Sequence, residues 1–193
     1  MSAQGAGSLR RRLTKLWLFS PEKLWLASIA LQRRGHPMLA FTVKQLNTIL
    51  YHNSLAPGAS VASDITLGHY SHGIVVNQNV EIGRQVKIWH NVTLTAGRPA
   101  RRDRSSPGPK ARIVVEDYVK IGTNAVVIAP RGQTLRIGRG ARVGAGAIVT
   151  GDVPAGATVI SPPARVLLKD TDAEVGFSDH AADTPTEDSP ARP

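Results

Sequence analysis

Aliphatic residues recur every six positions along most of this chain. With an aliphatic residue as position one, hexads begin at Leu55, Val61, Leu67, Val76, Ile82, Ile88 and Leu94. They resume at Val115, Ile121 and Val127, and again at Ile137, Val143 and Val149. Small or β-branched residues fill the fifth positions, among them Ala59, Ile65, Val80, Val86, Val92, Val119, Ala125, Ala141, Ala147 and Val153. Two positions in six therefore face a narrow interior. An amphipathic helix repeats at about 3.6 residues and a surface strand at about 2, so neither accounts for the pattern. A parallel β-helix does: three hexads close a triangular coil of about eighteen residues, and coils stack at about 4.8 Å. Thirteen hexads predict about four coils over residues 54–168, with a β-sandwich of fortuitous spacing as the alternative.

The segment before the repeat, residues 1–53, reads as helical. Ser20 followed by Pro21 and Glu22 is a helix start, and Arg33-Arg34-Gly35 is a stop. A second helix is expected from Pro37 to about Tyr51, with Leu39, Val43, Leu46 and Ile49/Leu50 on one face. Capping the open end of the β-helix is the expected role, since that end exposes apolar side chains and unpaired strand edges. The final segment, 169–193, is acidic, Pro-containing and poor in large apolar residues, which predicts disorder.

Charge sharpens this picture without choosing a ligand. The chain of 193 residues carries a formal net charge of +10. Eight Lys/Arg against one acid lie in residues 1–53, fourteen against six in 54–168, and two against seven in 169–193. Such basic surfaces suit phosphates on nucleic acid, lipid or a nucleotide cofactor. The interval 98–112, with six Lys/Arg and three prolines, reads as a basic loop thrown out from a corner of the coil. The segment 9–19, with three arginines, Lys15 and Trp17, is suited to weak contact with an anionic membrane surface. Aromatic residues are only 5%, so a stacking platform for single-stranded nucleic acid is not expected. Apolar runs such as Leu16 to Phe19 are too short to span a bilayer. Lys15, Glu22 and Lys23 interrupt any signal-like core, so the expected location is cytoplasmic. With no cysteine, thiol nucleophiles, disulfides and thiolate metal sites are excluded.

The candidate chemistry lies in the histidines. His69 and His90 both hold the third position of their hexads, and Leu67 and Ile88 are one coil plus three residues apart. The two histidines are therefore expected at one corner in adjacent coils, about 5 Å apart. His72 falls in the three-residue expansion beside them. A partly solvated histidine at a corner suits general-base work, because imidazole titrates near neutrality.

At these residues the sequence resembles the left-handed β-helix hexapeptide-repeat acyltransferases, within them the serine acetyltransferase-like branch. The resemblance is carried by LGHYSHGIVV (Leu67 to Val76), VEIGRQVKIWHNVTL (Val80 to Leu94), VKIGTNAVVI (Val119 to Ile128) and VGAGAIVTGDVPAGATVISPPARV (Val143 to Val166). It implies a left-handed coil, a homotrimer with sites in grooves between subunits, and acetyl transfer from acetyl-CoA to a small hydroxylated acceptor. It further implies His69 as the base. His90, brought beside it by the repeat, is the second catalytic candidate and, with a backbone carbonyl as the alternative, stands in for the orienting acid. By the same resemblance the cofactor lies near Ala96, Thr123 and Ala145, with Arg165 or the basic loop meeting its phosphates, and no metal is needed. The branch carries an acid where this chain has Ser54, an aspartate where it has Gly68, and an Arg-His-Pro motif that the segment Ser106 to Arg112 lacks. L-serine is the leading acceptor. A sugar or other hydroxylated molecule is the alternative, and a non-catalytic scaffold is a further one. A metal hydratase of the γ-carbonic anhydrase kind needs a histidine spacing that this chain lacks.

Overall fold

The computed structural model describes residues 20–96 and 111–163. The chain enters through α1 (Pro21–Arg33) and α2 (Pro37–Tyr51). The start of α1 follows from its sequence. Ser20 Oγ accepts a hydrogen bond from the Lys23 N–H at 3.4 Å, Pro21 sits where a missing N–H costs nothing, and Glu22 lies at the positive end of the helix dipole. Helix α2 ends with His52 in the left-handed region (φ 52°), its N–H bonded to the Thr48 carbonyl at 2.8 Å.

Closing the open end of the prism falls to α1. Trp25 and Ile29 join Leu55, Ala59 and Leu67 in one core, and Trp25 Nε1–H donates to the Ala56 carbonyl at 2.9 Å. The apolar face expected of α2 points elsewhere. Leu39, Leu46, Ile49 and Leu50 are exposed, whereas Ala40 and Asn47 are buried. Asn47 is drawn inward because its amide donates to the Pro21 carbonyl at 3.0 Å.

Fourteen short strands follow among the described residues. They are β1 (Ser54–Leu55), β2 (Ser60–Val61), β3 (Thr66–Leu67), β4 (Val75–Val76), β5 (Val80–Ile82), β6 (Lys87–Ile88) and β7 (Thr93–Ala96), then β8 (Arg112–Val115), β9 (Lys120–Ile121), β10 (Val126–Ala129), β11 (Thr134–Ile137), β12 (Arg142–Val143), β13 (Ile148–Val149) and β14 (Thr158–Val159). All pairings are parallel, and each coil gives one strand to each of three sheets: β1-β4-β7-β10-β13, β2-β5-β8-β11 and β3-β6-β9-β12-β14. Position-one residues stack into rungs, Leu67 on Ile88 on Ile121 on Val143 on Val159 along the third sheet. Four coils are complete, and β13, a bridge from Val153 to Ile137, and β14 make a fifth. Apart from Trp25 at its end, the core cluster of the described coils is aliphatic, with Ile88, Leu94, Ile121 and Val127 fully buried, each such side chain contributing about 1.5–3 kcal/mol.

Two irregularities in the repeat have one explanation. The four residues of β7 and β10 pair along their whole length, Ala96 opposite Ala129, and those of β11 and β8 do the same, Thr134 opposite Arg112. The additional residues between Val127 and Ile137 therefore lengthen one coil to match the neighbouring coil, whose β7 and β8 are four residues long as well. Of the interval 98–112 expected to be a basic loop, the last two residues belong to the coil instead: Ala111 is buried and Arg112 begins β8. The rest of it, the segment 9–19, Arg165 and the acidic tail lie outside the described residues. Among the described residues no helix is long and apolar enough to cross a membrane.

Candidate active site

One corner of the prism, between the third and first sheets, carries the candidate chemistry. Two positions beyond the rung from Leu67 to Val159 lie His69, His90, Thr123, Ala145 and Ser161, one per coil. Parallel pairing in register thus turns a spacing in sequence into a column in space. The rings of His69 and His90 have centroids 4.6 Å apart and planes at 84°. Thr123 Oγ1 lies 3.4 Å from His90 Nδ1, so the column continues as a polar contact into the third coil. His69 is exposed and His90 half-buried.

The expansion before Val76 is a tight turn, Gly68–Ser71, in which His69, Tyr70 and Ser71 have φ of 50°, 53° and 61°. It gathers aromatic groups around His69. Tyr70 stacks parallel to Tyr51 with centroids 6.3 Å apart, and His72 lies 5.6 Å from His52. Leu50, Tyr51, His52, His69, Tyr70 and His72 line a depression of about 480 Å³. Gly73 (φ 67°) closes the turn, where a Cβ would collide with the Asn91 side chain.

A second depression, of about 420 Å³, runs down the column from the histidines. Trp89, Lys120, Thr123, Arg142, Ala145 and Thr158 line it. Its floor is glycine-rich because the coils approach closely: a Cβ on Gly122 would lie 2.7 Å from the Ala145 nitrogen. Lys87, Lys120 and Arg142 are register partners on the third sheet and all point outward. Like charges directly opposite destabilise a sheet, so this row is suited to an anionic ligand. Its signal was visible in the sequence as Lys87-Ile88, Lys120-Ile121 and Arg142-Val143, a cation preceding position one of three hexads.

Of the expected site residues, His69, His90, Thr123 and Ala145 come together. Ala96 does not join them. It is buried at the far end of β7, beyond a strand from this corner, and pairs with Ala129. Residues that the hexad pattern did not single out are Trp89, Lys120 and Arg142 in the groove, and the buried Asn47, Asn53 and Ser71 behind the turn.

The carboxylates among the described residues of the β-helix are engaged elsewhere. A further depression between the second and third sheets is lined by Glu81, Glu116, Asp117 and Arg139. There Glu81 pairs with Arg112, Asp117 accepts from the Arg84 N–H at 2.7 Å, and Glu116 from the Arg139 N–H at 2.9 Å. These acids fasten corners. Among the described residues no group of three His, Asp or Glu is placed to hold a metal ion.

No family model matches the chain. Serine acetyltransferase of Mycobacterium tuberculosis is 32% identical over 137 residues, covering 71% of this chain and 55% of that protein. The same enzyme of Helicobacter pylori is 30% identical over 141 residues, covering 73% of this chain and 75% of that protein. Among solved structures, soybean serine acetyltransferase complexed with serine superposes with a TM-score of 0.60 at 30% identity, over 75% of this chain and 55% of that one. The chain thus spans little more than half the length of several relatives that it matches. The shared architecture is the left-handed parallel β-helix.

Proposed function

The chain belongs to the serine acetyltransferase family, and from that premise we propose that it is an acetyl-CoA-dependent O-acetyltransferase with L-serine as the leading acceptor. The observation that carries this reading is the single column of His69, His90, Thr123 and Ala145, with an aromatic depression at its head and a cationic groove along it.

In this reading the acceptor occupies the depression beside His69. Its hydroxyl attacks the thioester carbonyl while His69 takes the hydroxyl proton. The tetrahedral intermediate collapses by breaking the C–S bond, and the CoA thiolate recovers the proton from the imidazolium. No covalent acyl-enzyme is formed. The pantetheine arm follows the Gly122–Ala145 floor, and the cofactor phosphates meet Lys120 and Arg142, with Arg165 and the basic loop as further contributors. Ala96 acts only as part of the wall. His90 orients His69, in a chain that has serine at position 54 where the branch has an acid.

A homotrimer belongs to the same reading. Val75, Val126 and Ile148 project from the first sheet, with Ile128 beside them. This outward apolar row lies along the corner that carries the histidines, which supports a site between subunits. The reading is of a cytoplasmic enzyme that needs no metal, with weak membrane contact left to residues 9–19.

The Tyr51–Tyr70 pair favours a second reading of the acceptor, a sugar, whose C–H face stacks well on aromatic rings. The test is release of free thiol from acetyl-CoA by the purified protein with L-serine, other hydroxy amino acids and free or nucleotide-linked sugars. Turnover with serine supports the leading reading, and turnover with a sugar alone supports the second. No turnover with any hydroxylated acceptor, together with no binding of CoA, overturns both in favour of a scaffold.

A further inference from the structure

Three consecutive residues with side chains, His69, Tyr70 and Ser71, hold left-handed backbone angles. Residues other than glycine seldom adopt this region, because Cβ then crowds the neighbouring carbonyl. A run of three persists only where the surroundings over-determine it. The surroundings here are polar and buried. Ser71 Oγ is inaccessible, donates to the Tyr70 carbonyl, and accepts from Asn53 Nδ2 at 2.8 Å. The other Asn53 Nδ2–H donates to Asn47 Oδ1 at 3.1 Å, and Asn47 Nδ2 donates to the Pro21 carbonyl in the first turn of α1. Asn47, Asn53 and Ser71 are at most 4% exposed.

The orientation of Asn53 is fixed by this chain of donors. Turning its amide over would set Oδ1 against Asn47 Oδ1 and leave Ser71 without its donor. As it stands, Asn53 Oδ1 is buried with no partner among the described residues. A buried acceptor left unpaired opposes folding, so the arrangement is better explained by what it holds than by the stability it adds. The turn is also tied at both ends. Glu22 of α1 accepts from the Leu67 N–H at 3.1 Å, and the Gly73 N–H donates to the His52 carbonyl at 3.0 Å.

We infer that Asn53, acting with Asn47 and Ser71, is a positioning residue for His69, and that the two helices thereby hold the histidine turn in its working shape as well as closing the first coil. The role given to His69 rests on the acetyltransferase reading. The mechanical claim, that Asn53 and Ser71 set the conformation of residues 69–71, stands apart from it.

The experiment uses the full chain with Asn53→Ala, Ser71→Ala, their double variant, and Ser71→Gly, which removes the hydroxyl but eases the backbone. For each, kcat, KM for acetyl-CoA, the unfolding midpoint and the His69 imidazole proton resonance are measured, the last assigned by its loss in His69→Ala. The expected result is a fall in kcat of roughly tenfold or more in each single variant, KM for acetyl-CoA within about twofold, and a double variant about as impaired as the singles, as for groups acting as one unit. The His69 resonance shifts or splits, including in Ser71→Gly, where the fold is not at risk from backbone strain. Unchanged kcat, or losses that multiply in the double variant and track the unfolding midpoint while the His69 resonance stays in place, would overturn the proposal. If the unmodified protein turns over no acceptor and binds no CoA, the acetyltransferase reading fails instead, and the resonance in Asn53→Ala and Ser71→Gly still decides the mechanical claim: unmoved, it sinks it.

Discussion

The imidazole of His90 meets that of His69 nearly at right angles, with centroids 4.6 Å apart, in a corner column whose His69 lines one depression and whose Thr123 and Ala145 line another. An edge-to-face contact restrains the His69 ring without using both its nitrogens. His69→Ala removes the proposed base and leaves the rungs beneath it untouched. Turnover is expected to fall roughly 10²- to 10⁴-fold, with the thermal midpoint little changed because the side chain is exposed. Steady-state thiol release and a melting curve check this together. Wild-type turnover would move the base to His72 or His90.

Thr123 acts one coil further down. Its hydroxyl oxygen lies 3.4 Å from His90 Nδ1, where a hydrogen bond between them selects one imidazole tautomer. Thr123→Val keeps the shape and loses the hydrogen bond, a change of about 1 kcal/mol. A kcat loss of roughly three- to tenfold is expected, with Thr123→Ser close to the unaltered protein. Equal kinetics for Val and Ser would remove Thr123 from the orientation of His90.

Much of this site was legible in the hexads, because a β-helix converts sequence spacing directly into register. Leu67 and Ile88 are paired, so His69 and His90 had to meet. The start of α1 and the span of α2 followed from Ser20, Pro21 and Pro37 in the same way. The face of α2 did not. An apolar stripe states which residues can be buried, not which partner is present, and here the buried positions are Ala40 and Asn47. Asn47, Asn53 and Ser71 were illegible for a related reason: buried polar residues are set by hydrogen-bond geometry in three dimensions, and no periodicity marks them. The glycines of the turn, Gly68 and Gly73, flank its three left-handed positions, 69–71, which are all held by residues with side chains that do not announce that conformation.

The cationic row makes a prediction about the cofactor alone. Lys120 and Arg142 flank the groove and face no carboxylate among the described residues. Each exposed ion pair with a phosphate contributes about 0.2–1 kcal/mol. Lys120→Ala with Arg142→Ala should therefore raise KM for acetyl-CoA roughly two- to thirtyfold while kcat at saturation holds. The KM of the unaltered protein should also rise with salt, as exposed charges are screened. A salt-independent KM, unaltered in the double variant, would place the phosphates elsewhere.

Stability should depend on the rungs rather than on the site. Ile121 is fully buried between Ile88 and Val143. Ile121→Ala deletes packing in both adjacent coils, and an unfolding loss of about 2–5 kcal/mol is expected by denaturant titration. A loss below 1 kcal/mol would mean that the stack relaxes around the gap.

The outer face of the first sheet tests the trimer. Ile148 is 70% exposed, and Val126, its register partner, extends the apolar row toward Val75 through Thr93. Such a row on a parallel sheet is suited to a copy of itself, and in the proposed trimer its border with the histidine corner would put the site at the seam. Ile148→Glu sets a carboxylate in that seam, three of them in a threefold assembly, and burying unpaired like charges is costly. Light scattering should show the mass falling from trimer toward monomer, with acetyl transfer falling in parallel. Dilution should restore neither, whereas Ile148→Leu should retain both. A trimer that survives Ile148→Glu would assign assembly to another face, and a fully active monomer would mean that one chain holds the whole site.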